Sequence, residues 1–190
     1  MDALPGVPDD ILRDPRCLVF VGTLDYAPNI EAARSLCREI LPRVREKVPA
    51  AHVVLAGRRP GPEVAELAGD HVTVHGDVES VNDVFAAAGV AVYPGTTGRG
   101  TKNTVLEALA AGCPVVATRE SVRGLASGHP VVTASTPADL GAEIASLIRN
   151  DRRRSDLSRS GSAFVDSLPG WDDAAARYAD VFTSASEPGD

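Results

Sequence analysis

The chain lacks any apolar run approaching the ~20 residues that a membrane-crossing helix requires. Its first ten residues, MDALPGVPDD, also lack the basic and apolar regions of a signal peptide. Positive charge is in deficit. Nineteen Lys and Arg face 26 Asp and Glu, for a formal net charge of −7 and a pI near 5.1. A general nucleic-acid binder needs a basic face to displace counterions, so that class is excluded. Cysteine is scarce: Cys17, Cys37 and Cys113 are widely spaced, with no C-x-x-C. Cys17 and Cys113 stand at the starts of apolar runs, as reduced, buried thiols of a cytosolic protein would. His52, His71, His75 and His129 have no metal-ligand spacing to these cysteines, which argues against a structural zinc site. What remains is 44% hydrophobic and 24% charged, an ordinary soluble composition. At 190 residues, one domain with a substantial core is expected.

Residues 1–16 are rich in Pro, Asp and Gly and read as a linker or arriving crossover. Short apolar runs then recur at 17–22, 52–57, 71–76, 90–94, 114–118 and 130–134. Each has the continuous apolar character of a strand buried on both faces. Helical spacing or helix signals fall between or after them, at 29–48, 62–68, 80–88, 103–111 and 136–149. Pro42 lies inside the first of these and predicts a kink or a division. Thr136 and Pro137 fit an N-cap and a first helical position. Two further helices, near 151–167 and 171–183, close the chain without a strand. Six strands alternating with helices predict a doubly wound α/β domain, with a parallel sheet covered on both faces and right-handed crossovers. Its domain proper spans 17–150, and 151–190 is a helical extension.

Ligands of such sheets bind beyond the carboxyl ends of the strands. There, after the fourth strand, stands GTTGRGTKNTVLEALAAGCPVVAT, residues 95–118. Glycines admit close approach of backbone amides, and the following helix offers unpaired N–H groups at a positive dipole end. With Arg99 and Lys102, the turn suits a phosphate or diphosphate. A P-loop is disfavoured, because Thr101 separates the second glycine from Lys102 and Asn103 replaces the magnesium-binding hydroxyl. A dinucleotide fingerprint is disfavoured too: Gly95, Gly98 and Gly100 run G-x-x-G-x-G and follow the fourth strand, not the first.

GRGTKNTVLEALAAGCPVVAT resembles the signature of family 4 glycosyltransferases of the GT-B fold, whose loop and helix carry E-A-x-A-x-G-x-P-V-V before a strand. CLVFVGTLDYAPNIEAARSL is similar to the first strand and helix of their C-terminal, donor-binding domain, notably in bacterial polysaccharide-pathway transferases. HVTVHGDVESVNDVFAAAGVAVYP and SAFVDSLPGWDDAAARYADVF match its later elements in order. The resemblance covers roughly residues 3–183 and is sharpest over 98–118.

The resemblance implies a Rossmann-like half of a GT-B fold that binds a nucleoside-diphosphate sugar. Glu107 would accept hydrogen bonds from the ribose hydroxyls. Lys102 and Arg99 would carry catalysis by neutralising the departing diphosphate. Gly98, Gly100, Thr101 and Asn103 would line that cradle, with Arg58 a further cation. His75 and Val78 would border the base, and Gly22 and Thr23 the sugar or diphosphate. The expected reaction is transfer to an acceptor hydroxyl with retention of configuration. No Asp-x-Asp is present to hold a divalent ion, so neither metal nor other cofactor is expected. Two family features are missing. A carboxylate often found seven residues before the ribose glutamate is replaced by Arg99. The basic residue of the first helix is also absent, with Asn29 and Glu31 nearby.

A complete GT-B enzyme binds its acceptor in a second, N-terminal domain, for which this chain has no room. The expectation is a donor domain of a longer protein, or a half-enzyme needing a partner, that binds donor but transfers little sugar. The missing half would also carry any peripheral attachment to the inner membrane face. Other readings compatible with the layout are half of a nucleotide-sugar 2-epimerase and a non-enzymatic flavodoxin-like binding module.

Overall fold

The structure is a computed structural model that describes residues 13–97 and 103–168. The expected linker through residue 12, the turn at 98–102 and the helix at 171–183 lie outside the described residues. All six expected strands are present: β1 (Asp14–Val21), β2 (His52–Gly57), β3 (Val72–Gly76), β4 (Ala88–Tyr93), β5 (Val115–Ala117) and β6 (Val132–Thr133). They form one parallel sheet in the order β3-β2-β1-β4-β5-β6. Successive strand residues point to opposite faces. Leu18, Val19, Phe20 and Val21 are nevertheless all buried, as are all six residues of β4. Both faces of the sheet are therefore covered.

The helices are α1 (Ala27–Ser35), α2 (Leu41–Lys47), α3 (Pro62–Ala65), α4 (Val81–Ala87), α5 (Asn103–Ala110), α6 (Pro137–Ile148) and α7 (Asp151–Asp166). α2 packs on α6, whereas α5 packs on α4 and α7. Between α1 and α2, residues Leu36–Ile40 form a π-helical turn in which the Leu41 N–H reaches back to the Leu36 carbonyl. Pro42 supplies no N–H and its ring clashes with the carbonyl four residues earlier in a regular helix. The widened turn absorbs that clash and divides the helical run into α1 and α2, as Pro42 predicts.

β1 begins at Asp14, three residues before its apolar run, and its pairing with β4 shifts register between Asp14 and Leu18. A Cβ at Gly89 would stand 2.3 Å from the Pro15 carbonyl oxygen, so this close crossing needs glycine. Thr136 caps α6 as expected: its hydroxyl accepts the Asp139 N–H at 3.1 Å. Ser80 and Asn150 cap α4 and α7 in the same way. Two arginines cover helix carboxyl ends, where the macrodipole favours cations. Arg13 donates to the Gly112 and Ala111 carbonyls beyond α5, at 2.8 and 3.1 Å. Arg154 donates to Leu147 and Ile148 of α6, at 2.9 and 2.7 Å.

The three cysteines are free, with Cys17 and Cys113 buried and Cys37 half-buried. Burial pushes the Cys17 thiol up to about 11, and those of Cys37 and Cys113 up to about 12. Burial thus favours the protonated thiol at all three. Among the described residues, no helix is long and apolar enough to cross a membrane.

Candidate functional site

Strand order reverses between β1 and β4, which makes the gap between their carboxyl ends the switch-point crevice of the sheet. One wall is the turn after β1, laced to the turns after β2 and β3. The Gly22 N–H donates to the Ala56 carbonyl at 3.1 Å, Leu24 N–H to Arg58 at 2.8 Å, and Asp77 N–H to Gly57 at 2.9 Å. Gly57 has φ +145°, and a Cβ there would fall 1.8 Å from the Gly22 carbonyl oxygen. Only glycine allows these two turns to meet. Asn29 braces the same wall: its side-chain amide donates to the Thr23 carbonyl at 2.9 Å. Asp25 and Arg59 form an exposed ion pair at 3.1 Å. Arg59 and Asp77 both hold left-handed backbone, φ 54° and 50°, a conformation costing on the order of 1–3 kcal/mol and concentrated at functional loops.

The opposite wall follows β4. Tyr93, buried against Phe20 with ring centroids 5.8 Å apart, donates its hydroxyl to the Thr104 carbonyl at 3.1 Å. Burial pushes the phenol far above its ordinary range, so it remains a donor at all physiological pH. It thereby ties the first turn of α5 to the sheet. The Gly95 carbonyl, where the turn departs, is approached by the hydroxyls of Thr118 and Ser121, the latter at 3.2 Å. The Ser121 N–H in turn donates to the Thr118 hydroxyl oxygen at 3.1 Å. Gly95, where the turn departs, and Thr104, on α5 beyond it, are thus each held by part-buried hydrogen bonds.

The expected site residues that are described lie at or just beyond the carboxyl ends of β1, β2 and β3 and on α5. Gly22 and Thr23 are half-buried at the end of β1, and Arg58 is exposed after β2. His75 is exposed on β3 beside Ala56, and Val78 is half-buried just beyond. Asn103 is exposed as the first residue of α5, with half-buried Glu107 one turn later. Burial pushes the Glu107 carboxyl above the usual carboxylate range. Gly98, Arg99, Gly100, Thr101 and Lys102 lie outside the described residues. Among the described residues, no three His, Cys, Asp or Glu cluster as a cation site. Tyr93, Thr118 and Ser121 escaped the sequence reading. Their signal, hydroxyls at the carboxyl ends of apolar strands, is too common to single them out.

Fold and crevice define the class: a doubly wound, Rossmann-like α/β domain of the kind that makes half of a GT-B fold. Residues 15–150 match the family model for glycosyl transferases group 1, and the chain belongs to that family. Comparison with curated proteins finds no match. Among solved structures, it is similar to an S. aureus TarM variant crystallised with fondaparinux, alpha-GlcNAc-glycerol and UDP. That match has a TM-score of 0.75 at 14% identity, covering 93% of this chain and 37% of that one. Anabaena HepE in complex with UDP matches with a TM-score of 0.69 at 13% identity, over 88% and 48%. The C-terminal domain of a group 1 glycosyl transferase (LpcC) from Francisella tularensis matches with a TM-score of 0.60 at 15% identity, over 79% and 84%. The chain therefore spans under half of the TarM and HepE chains but most of the excised Francisella domain.

Proposed function

We propose that this chain is the donor-binding half of a retaining glycosyltransferase, holding a nucleoside-diphosphate sugar in the β1–β4 crevice. The observation that carries the reading is Glu107: a half-buried carboxylate on α5, one turn behind the glycine turn, in a chain that matches the group 1 family over 15–150. Two similar structures contain UDP. In this reading the Glu107 carboxylate accepts the ribose hydroxyls. The α5 amino end, with Lys102, Arg99 and the amides of Gly100 and Thr101, receives the diphosphate. Gly22, Thr23 and Arg58 border the sugar end, and His75 and Val78 border the base. Leaving-group charge is neutralised by these fixed dipoles and cations, without a metal ion.

Calorimetric titration with UDP, GDP and ADP tests the reading. Binding of at least one is expected, unchanged by EDTA. Glu107→Ala should weaken it by about 1.5–3 kcal/mol, the worth of a charge-assisted hydrogen-bond pair. Wild-type affinity in both Glu107→Ala and Lys102→Ala would remove the residue assignment.

A further inference from the structure

The chain has one large hydrophobic side chain exposed among its described residues: Tyr26, at 49%. It ends the turn after β1, which forms one wall of the crevice. That turn is rigid. The Tyr26 N–H donates to the Thr23 carbonyl at 3.3 Å, and the Tyr26 carbonyl accepts the N–H groups of Asn29 and Ile30 at 2.8 and 3.0 Å. The Asn29 amide locks Thr23 from the other side, and stands where a Cβ on Gly22 would meet it at 2.8 Å. Leu24, two residues before, is fully buried and anchors the turn to the core. These contacts engage the Tyr26 backbone and hold the residue in place, leaving its ring to solvent. An exposed aromatic on a preorganised turn at a ligand crevice has the attributes of a binding hot spot.

The ligand proposed above is linear: base, ribose, diphosphate, sugar. With the ribose on Glu107 and the diphosphate at the α5 amino end, the next group leaves α5 toward the opposite wall, which is the β1 turn. Resting on that donor-site reading, we propose that Tyr26 is a specificity-determining residue for the transferred sugar. Its ring face covers the C–H face of the pyranose, and its hydroxyl exchanges hydrogen bonds with the sugar hydroxyls. A side chain with an apolar body and a polar tip suits a ligand built the same way.

The test compares each nucleoside diphosphate with its sugar ester: UDP with UDP-glucose, GDP with GDP-mannose, ADP with ADP-glucose. The pair bound best by the wild-type chain is then titrated into Tyr26→Ala and Tyr26→Phe. Tyr26→Ala should weaken the sugar ester by roughly five- to tenfold while leaving the diphosphate unchanged, and Tyr26→Phe should keep most of the affinity. The melting temperature should not move, because the turn is held through backbone atoms that alanine retains. Equal affinity of wild type and Tyr26→Ala for the sugar ester overturns the inference. So does an equal loss for both ligands, which would place the ring on the nucleotide. Failure of the wild-type chain to bind any of the six would instead remove the donor-site reading itself.

Discussion

At the scale of single residues, Glu107 sets binding against stability. Its pKa is raised by burial, so the folded state favours the neutral carboxyl and holds its proton to higher pH than the unfolded chain does. Stability then falls as pH rises from the ordinary carboxylate range through the raised value, and the ionised group costs stability above it. Glu107→Gln removes that charge while keeping shape. It should raise the melting temperature at neutral pH, with the gain shrinking as the pH is lowered through the carboxylate range. Nucleotide affinity should fall in the same variant. A melting temperature equal to or below wild type at neutral pH would show that the carboxylate is not strained by burial. The sequence placed Glu107 on the right helix, because helical spacing from Asn103 is a local property. It could not reveal that Tyr93, eleven residues before Thr104, pins the start of that helix, since the contact exists only once β4 and α5 are packed.

Elements carry the site more than any one side chain does. α5 carries Glu107, and α7 packs against it. Gly161 of α7 sits against Leu109 of α5, where a Cβ would lie 3.1 Å from the Leu109 side chain and 3.2 Å from its carbonyl oxygen. Ser162 stands 3.5 Å from the same carbonyl, and a Cβ on Gly112 would lie 2.8 Å from the Ser158 hydroxyl. The two helices meet through small residues with no spare volume. Gly161→Leu should therefore push α7 off α5 and cost about 1–3 kcal/mol by overpacking. Because α5 carries Glu107, nucleotide affinity should fall with it, an effect read by urea denaturation and titration on the same preparation. Lost stability with wild-type affinity would show that α5 keeps its place without α7. Strand identity and helix existence were legible from apolar runs and capping residues, including Thr136 over α6. The π turn at Leu36–Ile40 was not. Pro42 announces a conflict with the regular helix, but whether the helix breaks, kinks or widens depends on the buried Leu36 and Ile40 keeping their places in the core.

At the scale of the whole molecule, the expected sheet is present among the described residues: six parallel strands, with the crevice where strand order reverses. It was readable because βα alternation leaves few topologies once crossovers must be short and right-handed. Sugar transfer requires an acceptor hydroxyl held opposite the donor carbon, and positioning of two reactants supplies a large part of the barrier reduction. This chain spans 37% of the TarM chain and 48% of the HepE chain, and its described residues supply one crevice at one sheet edge. Binding and turnover should therefore separate. Given a nucleotide sugar, the chain alone should bind it and release diphosphate no faster than spontaneous hydrolysis. Addition of an acceptor-binding GT-B half, as a separate chain or fused before residue 1, should restore transfer if the two crevice walls meet. Chromatographic release of nucleoside diphosphate with and without that half measures the difference. Steady turnover by this chain alone would mean that the donor crevice also seats an acceptor.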